Sequence, residues 1–120
     1  MPKHVLLLDD DPSQLKVRET ILRSAGLQVS TAMTPEGALT LMRSRAGDFG
    51  AVVTDHLLKG QTGADFVREL RSFRPEIPVL VLSGMPEIDE QYEGMNAAIR
   101  EKPLPADELI RLVLEALQSS

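Results

Sequence analysis

Short apolar runs alternate along the chain with longer segments in which apolar residues recur every three or four positions. The first run, Val5-Leu6-Leu7-Leu8, is apolar at every residue, as a strand covered on both faces must be. Asp11-Pro12 then offers an N-cap followed by proline at the first helical position. The pattern predicts a helix from there to Ala25, with Gly26 as its stop and Val17, Ile21, Leu22 and Ala25 covering one side. A weaker, partly polar strand follows over Leu27 to Ala32. Thr34-Pro35 repeats the cap-and-proline start and opens a second helix reaching about Arg45. Gly50 to Thr54 reads as the third strand, and Gly63 opens a third helix reaching about Phe73. Ile77 to Leu82 is a continuous apolar strand with Pro78 near its start. Pro86 to Gly94 has room for a short fourth helix at most. Ala97 to Ile99 is the fifth strand, and Pro105 to Leu117 the last helix. Leu109, Val113 and Leu117 form the core stripe of that helix, with Leu112 and Leu114 at its margins.

Strands alternating with helices predict an α/β fold: a doubly wound, five-stranded parallel sheet with helices on both faces. No repeat, linker or low-complexity segment interrupts the pattern, so residues 1–120 read as one domain with no output domain attached. In such a sheet ligands bind beyond the carboxyl ends of the strands. The polar residues that end the runs are Asp9 and Asp10 after the first strand, Asp55 after the third, Ser83 after the fourth and Lys102 beyond the fifth.

Composition narrows the classes. The chain is 42% hydrophobic but only 3% aromatic, so the core is aliphatic and a base-stacking surface is not expected. A net charge of −5, with 13 scattered basic residues, argues against direct nucleic-acid binding. The chain has no cysteine, which excludes disulfides and thiolate metal sites. No apolar run approaches the ~20 residues of a membrane span, and the first run is too short for a signal-peptide core. The expected location is cytoplasmic, without membrane contact.

Asp9, Asp10 and Asp55 are placed to share one small site. Two carboxylates about 4 Å apart repel by about 4 kcal/mol at an effective dielectric of 20, so the cluster holds a proton or a cation. Oxygen-only ligands favour a hard ion such as Mg²⁺, or Mn²⁺, over zinc. Magnesium leaves coordination positions for a phosphoryl donor. Lys102 can pair with one phosphate oxygen and Ser83 can donate to another, with Asp55 as the nucleophile. Each residue also has a plain structural explanation. The acids can decorate a helix start, Asp55 can make a turn, Ser83 can satisfy backbone at a strand end, and Lys102 can be a surface lysine. Their joint placement at strand ends favours the chemical reading. His56 reads as structural, because the carboxylates already account for the chemistry.

Four pieces, Val5 to Asp11, Val53-Thr54-Asp55-His56 with Gly63 downstream, Pro78 to Gly84, and Lys102-Pro103, stand in this order and spacing. With them the chain resembles the receiver domains of response regulators over essentially its whole length. The resemblance implies a flavodoxin-like fold with strand order 2-1-3-4-5. It implies Asp55 as phosphoacceptor, and Asp10, Asp55 and the backbone carbonyl of Leu57 as metal ligands. Asp9 then assists through water, with Ser83 as the switch hydroxyl and Lys102 as the site lysine. The implied partner is a sensor histidine kinase or a histidine phosphotransfer protein.

Three features depart from the family pattern. Ile99 stands where an aromatic switch residue is common, so signal is expected to travel through backbone shifts or packing of the last strand and helix. Lys59 replaces the usual proline after the acceptor, which points to a more flexible loop over Leu57 to Gly63. The 19-residue spacing from Ser83 to Lys102 is short, as in receivers fused to hybrid histidine kinases. Leu57 and Met85 are expected near the approach of water, slowing hydrolysis of the phosphoryl group. Leu112 and Leu114 suggest a homodimer or effector surface on the fifth strand and last helix. Two other functions compete. One is a phosphorylation-independent interaction module, which Ile99 favours and the intact acidic pocket opposes. The other is an aspartate-nucleophile phosphatase, which would leave Asp55 unexplained.

Overall fold

The computed structural model describes residues 4–45 and 48–119. Seven strands and four α-helices are seen among them: β1 (His4–Leu8), α1 (Pro12–Ser24), β2 (Gln28–Ala32), α2 (Pro35–Ser44), β3 (Phe49–Asp55), β4 (Leu57–Leu58), β5 (Gln61–Thr62), α3 (Gly63–Arg71), β6 (Val79–Ser83), β7 (Ala97–Glu101) and α4 (Ala106–Ser119). The main sheet has the order β2-β1-β3-β6-β7, all pairs parallel. Counting main strands alone, this is the 2-1-3-4-5 order of the flavodoxin-like fold.

Side chains alternate across a strand, and the core divides accordingly. Leu6, Leu8, Val52 and Val81 face α2 and α3, packing with Met42, Phe66 and Leu70. Val5, Leu7, Val53 and Leu82 face α1 and α4, packing with Leu15, Leu22, Leu109 and Val113. Every residue of β1, β3 and β6 is buried, which is why those runs carry no polar alternation. The last helix buries the expected stripe of Leu109, Val113 and Leu117 and leaves Leu114 exposed. On α1 the expected stripe shifts: Leu15 and Leu22 are buried, whereas Val17 is 59% exposed.

The caps hold as the sequence suggested. Asp11 accepts from the backbone N–H of Ser13 and Gln14 with Pro12 opening α1, and Thr34 accepts from Gly37 N. On α3 a further cap, not singled out from the sequence, is the reciprocal capping box of Thr62 and Asp65. Gly26 stops α1 with φ +86°, a conformation glycine adopts freely.

Two loops differ from expectation. The segment 86–94 forms only a 3₁₀ turn, Asp89–Tyr92. No side chain caps it, and Glu87 and Gly94 on either side take positive φ, so too few helical residues remain to sustain an α-helix. The loop after Asp55, read from the sequence without regular structure, is a small antiparallel hairpin pairing Leu57 with Thr62 and Leu58 with Gln61. Its two-residue turn is Lys59-Gly60, with Gly60 at φ +82°, and glycine rather than proline makes that turn.

Candidate functional site

The site lies at the carboxyl edge of the main sheet. Asp55 is the last residue of β3 and Ser83 the last of β6. Asp9 and Asp10 follow β1, and Lys102 follows β7, its N–H bonded to the Ser83 carbonyl at 2.7 Å. Parallel strands in one register therefore deliver five residues, far apart in sequence, to one rim. One carboxylate oxygen each from Asp9, Asp10 and Asp55 falls within a 4.8 Å group.

Asp9 is buried to 1% exposure. One of its oxygens accepts from the Asp11 N–H at 2.9 Å and the other from Arg18 Nη1 at 2.6 Å. Burial raises its pKa; the Asp11 N–H opposes that shift, the Asp55 charge adds to it, and Arg18 and Lys102 also oppose it. The Lys102 ammonium stands 2.7 Å from Asp55 Oδ1. This is an ion pair without hydrogen-bond alignment, since that buried oxygen accepts no directed hydrogen bond. A buried, incompletely satisfied carboxylate oxygen beside two further carboxylates is a donor set that fits a hard divalent cation.

Ser83 is at the rim, but its hydroxyl closes a local turn, accepting from Met85 N at 2.9 Å and donating to Met85 O at 3.0 Å. Leu57 lies in β4 and is 55% exposed, and Met85 is also exposed. Ile99 is half-buried on β7 against the α2–α3 side of the core.

His56 is fully buried and shares a hydrogen bond with Tyr92, the structural role expected of it. Burial lowers its pKa, against the pull of the Asp55 charge, and burial raises that of Tyr92. Behind them Gly63 is pressed against the chain, its N–H donating to the His56 carbonyl at 2.6 Å.

Sequence reasoning missed Arg18 and Gln14. Gln14 Oε1 accepts from Arg18 Nη2 at 3.1 Å and from Lys102 Nζ at 3.4 Å. The signal was present: Asp11, Gln14 and Arg18 stand at i, i+3 and i+7, one polar face at the start of α1.

A model of the response regulator receiver domain family matches residues 5–114. The response regulator MprA of Mycolicibacterium vanbaalenii is 34% identical over 116 residues, covering 92% of this chain and 48% of that protein. The C4-dicarboxylate transport transcriptional regulatory protein DctD of Pseudomonas aeruginosa is 31% identical, covering 95% of this chain and 25% of that protein. The chain thus spans about a quarter to a half of the length of these curated relatives. The receiver domain of the hybrid histidine kinase CckA superposes with a TM-score of 0.82 at 25% identity, covering 96% of this chain and 99% of that one. Strand order, acid cluster and family match agree, and the chain belongs to the response regulator receiver domain family.

Proposed function

We propose that Asp55 is the acceptor through which this receiver domain takes a phosphoryl group from the phosphohistidine of a sensor histidine kinase or histidine phosphotransfer protein. The single observation that carries this assignment is the Asp55 carboxylate: it ends β3 within reach of two other acids and faces Lys102 at 2.7 Å. An oxygen of Asp55 attacks phosphorus, the P–N bond to the donor imidazole breaks, and the imidazole leaves with the bonding pair and takes up a proton. Lys102 follows the charge as it moves onto the phosphoryl oxygens. Ser83 releases Met85 and turns its hydroxyl to a phosphoryl oxygen. Asp10, Asp55 and the Leu57 carbonyl are the residues that would hold Mg²⁺ or Mn²⁺, with Asp9 assisting through water. The bound ion supplies charge neutralisation to the transferring group.

The chain acts on its own phosphorylation and dephosphorylation, not as a turnover enzyme, and Leu57 and Met85 hinder water at the acyl phosphate. Output leaves through β7 and α4, where Ile99 cannot act as an aromatic rotamer switch and Leu114 is exposed to an effector or a second copy. The test is incubation with Mg²⁺ and acetyl phosphate followed by intact-mass measurement. One phosphoryl group is expected on the wild type and none on Asp55→Ala. A mass shift that persists in Asp55→Ala refutes the assignment.

A further inference from the structure

The acid cluster carries its own counter-cations. Both oxygens of the buried Asp9 are engaged by the protein, one by the Asp11 N–H and one by Arg18. Arg18 itself is only 12% exposed at the side chain, so this pair is little screened by water. Gln14 then ties Arg18 to Lys102, whose ammonium sits on Asp55. Two of the three clustered acids are therefore each met by a cation of the chain, and the neutral Gln14 oxygen holds those two like charges side by side.

An arriving divalent cation meets a field set by this balance. Three bare carboxylates within 4.8 Å would draw it strongly. With Asp9 already neutralised, the attraction is smaller. Resting on the reading that this cluster holds Mg²⁺, we propose that Arg18 is a positioning residue that sets the affinity for the ion: it neutralises Asp9 and keeps its carboxylate out of direct coordination. Asp10 and Asp55 are left to bind the ion, and the site stays weak enough to empty and refill.

The test is calorimetric titration with Mg²⁺ alone. Arg18→Gln binds Mg²⁺ at least about tenfold tighter than the wild type, because a buried cation facing the site has gone. Arg18→Lys, which keeps the charge, stays near the wild-type value. The double variant Asp9→Asn/Arg18→Gln removes the acid that loss of Arg18 would uncover, so it loses the tightening, and without the help of Asp9 through water it binds Mg²⁺ a few-fold more weakly than the wild type. If Arg18→Gln does not fold, the double variant decides, since it leaves no unpaired buried acid: a tenfold loss there shows that Asp9 itself ligates the ion and overturns the proposal. Unchanged or weaker binding by Arg18→Gln overturns it as well, and a lower melting temperature with unchanged affinity reduces Arg18 to a structural partner. A wild type that binds no Mg²⁺ sinks the metal site itself; a wild type that binds, with Arg18→Gln unaltered, sinks only the role of Arg18.

Discussion

His56 Nδ1 and the hydroxyl of Tyr92 share a 2.7 Å hydrogen bond in the interior, with the two rings edge-on at 5.6 Å. The bond joins the residue after Asp55 to the turn that stands where a fourth helix was expected. Both groups are buried, at 1% and 3% exposure, so removing one strands the other without water. Tyr92→Phe and His56→Phe should each cost about 1–3 kcal/mol. The double variant should cost less than the sum, because the second change leaves no orphan. Urea denaturation of the four proteins measures this, and strict additivity would show the bond to be energetically idle.

Gly63 has no room for a side chain. A Cβ there would lie 2.7 Å from the Asp55 carbonyl oxygen, 2.6 Å from the Tyr92 hydroxyl and 3.2 Å from His56 Cα. Two of these are backbone atoms that cannot rotate away. Gly63→Ala should therefore destabilise by about 1–3 kcal/mol or more through overpacking, and it should push on the strand end that presents Asp55. Gly60→Ala, at a positive φ in open space, provides a contrast: backbone strain without a clash. Thermal denaturation that ranked Gly60→Ala as the more damaging would contradict this.

The fold was legible because its signals were local. Unbroken aliphatic runs betrayed β1, β3 and β6, and Asp11-Pro12 and Thr34-Pro35 marked two helix starts by capping chemistry. The acids and Lys102 were legible because each ends or closely follows a strand, and a parallel sheet brings strand ends together. What escaped depended on contacts across the fold. The burial of Leu15 in place of Val17 follows from how α1 lies against α4 and the sheet, which helical periodicity alone does not fix. The hairpin around Lys59-Gly60 is carried by a two-residue glycine turn that flanks only two-residue strands, too short for an alternating pattern to show. Arg18 was marked only by the polar face it shares with Asp11 and Gln14, because its partner, Asp9, is nine positions away and outside that helix.

Mild acidification should weaken the fold through its buried histidines. His4, on β1, is 8% exposed, shares a 2.7 Å hydrogen bond with Ser30 and lies against the Phe49 ring. Its pKa is lowered from 6.5, first by burial and then by Arg45, with Asp48 opposing and Arg23 adding to the effect. Well above pH 6.5 the ring is neutral in both folded and unfolded chains and contributes nothing to the slope. As pH falls below that value the unfolded chain takes up a proton first, so stability declines until the folded ring also protonates. His56, lowered by burial, adds in the same direction. Asp9, whose pKa is raised from 3.8, acts with the opposite sign in the carboxylate range further down. Melting temperatures between about pH 7 and 5.5 should fall, and His4→Gln should lessen that fall. A pH slope identical in His4→Gln would remove His4 from the account.

Lys102 and Arg18 are both cations at the acid cluster, yet their loss should have different consequences. Lys102 faces Asp55 at 2.7 Å with a quarter of its side chain exposed, close enough to follow charge onto a phosphoryl group held by that carboxylate. Arg18 is committed to Asp9 and sits one residue further from the chemistry. Removing a positioned cation from a developing charge typically costs on the order of 10²–10³ in rate. Lys102→Met should therefore slow phosphorylation by acetyl phosphate by at least about tenfold at saturating Mg²⁺, while Mg²⁺ binding is kept or tightened, since a positive charge has left the site. Arg18→Gln should change the Mg²⁺ concentration needed for half-maximal phosphorylation far more than the rate at saturation. Stopped-flow or mass-resolved time courses across a Mg²⁺ series separate the two, and a Lys102→Met variant that is slow only at low Mg²⁺ would place its role in ion binding instead of in phosphoryl transfer.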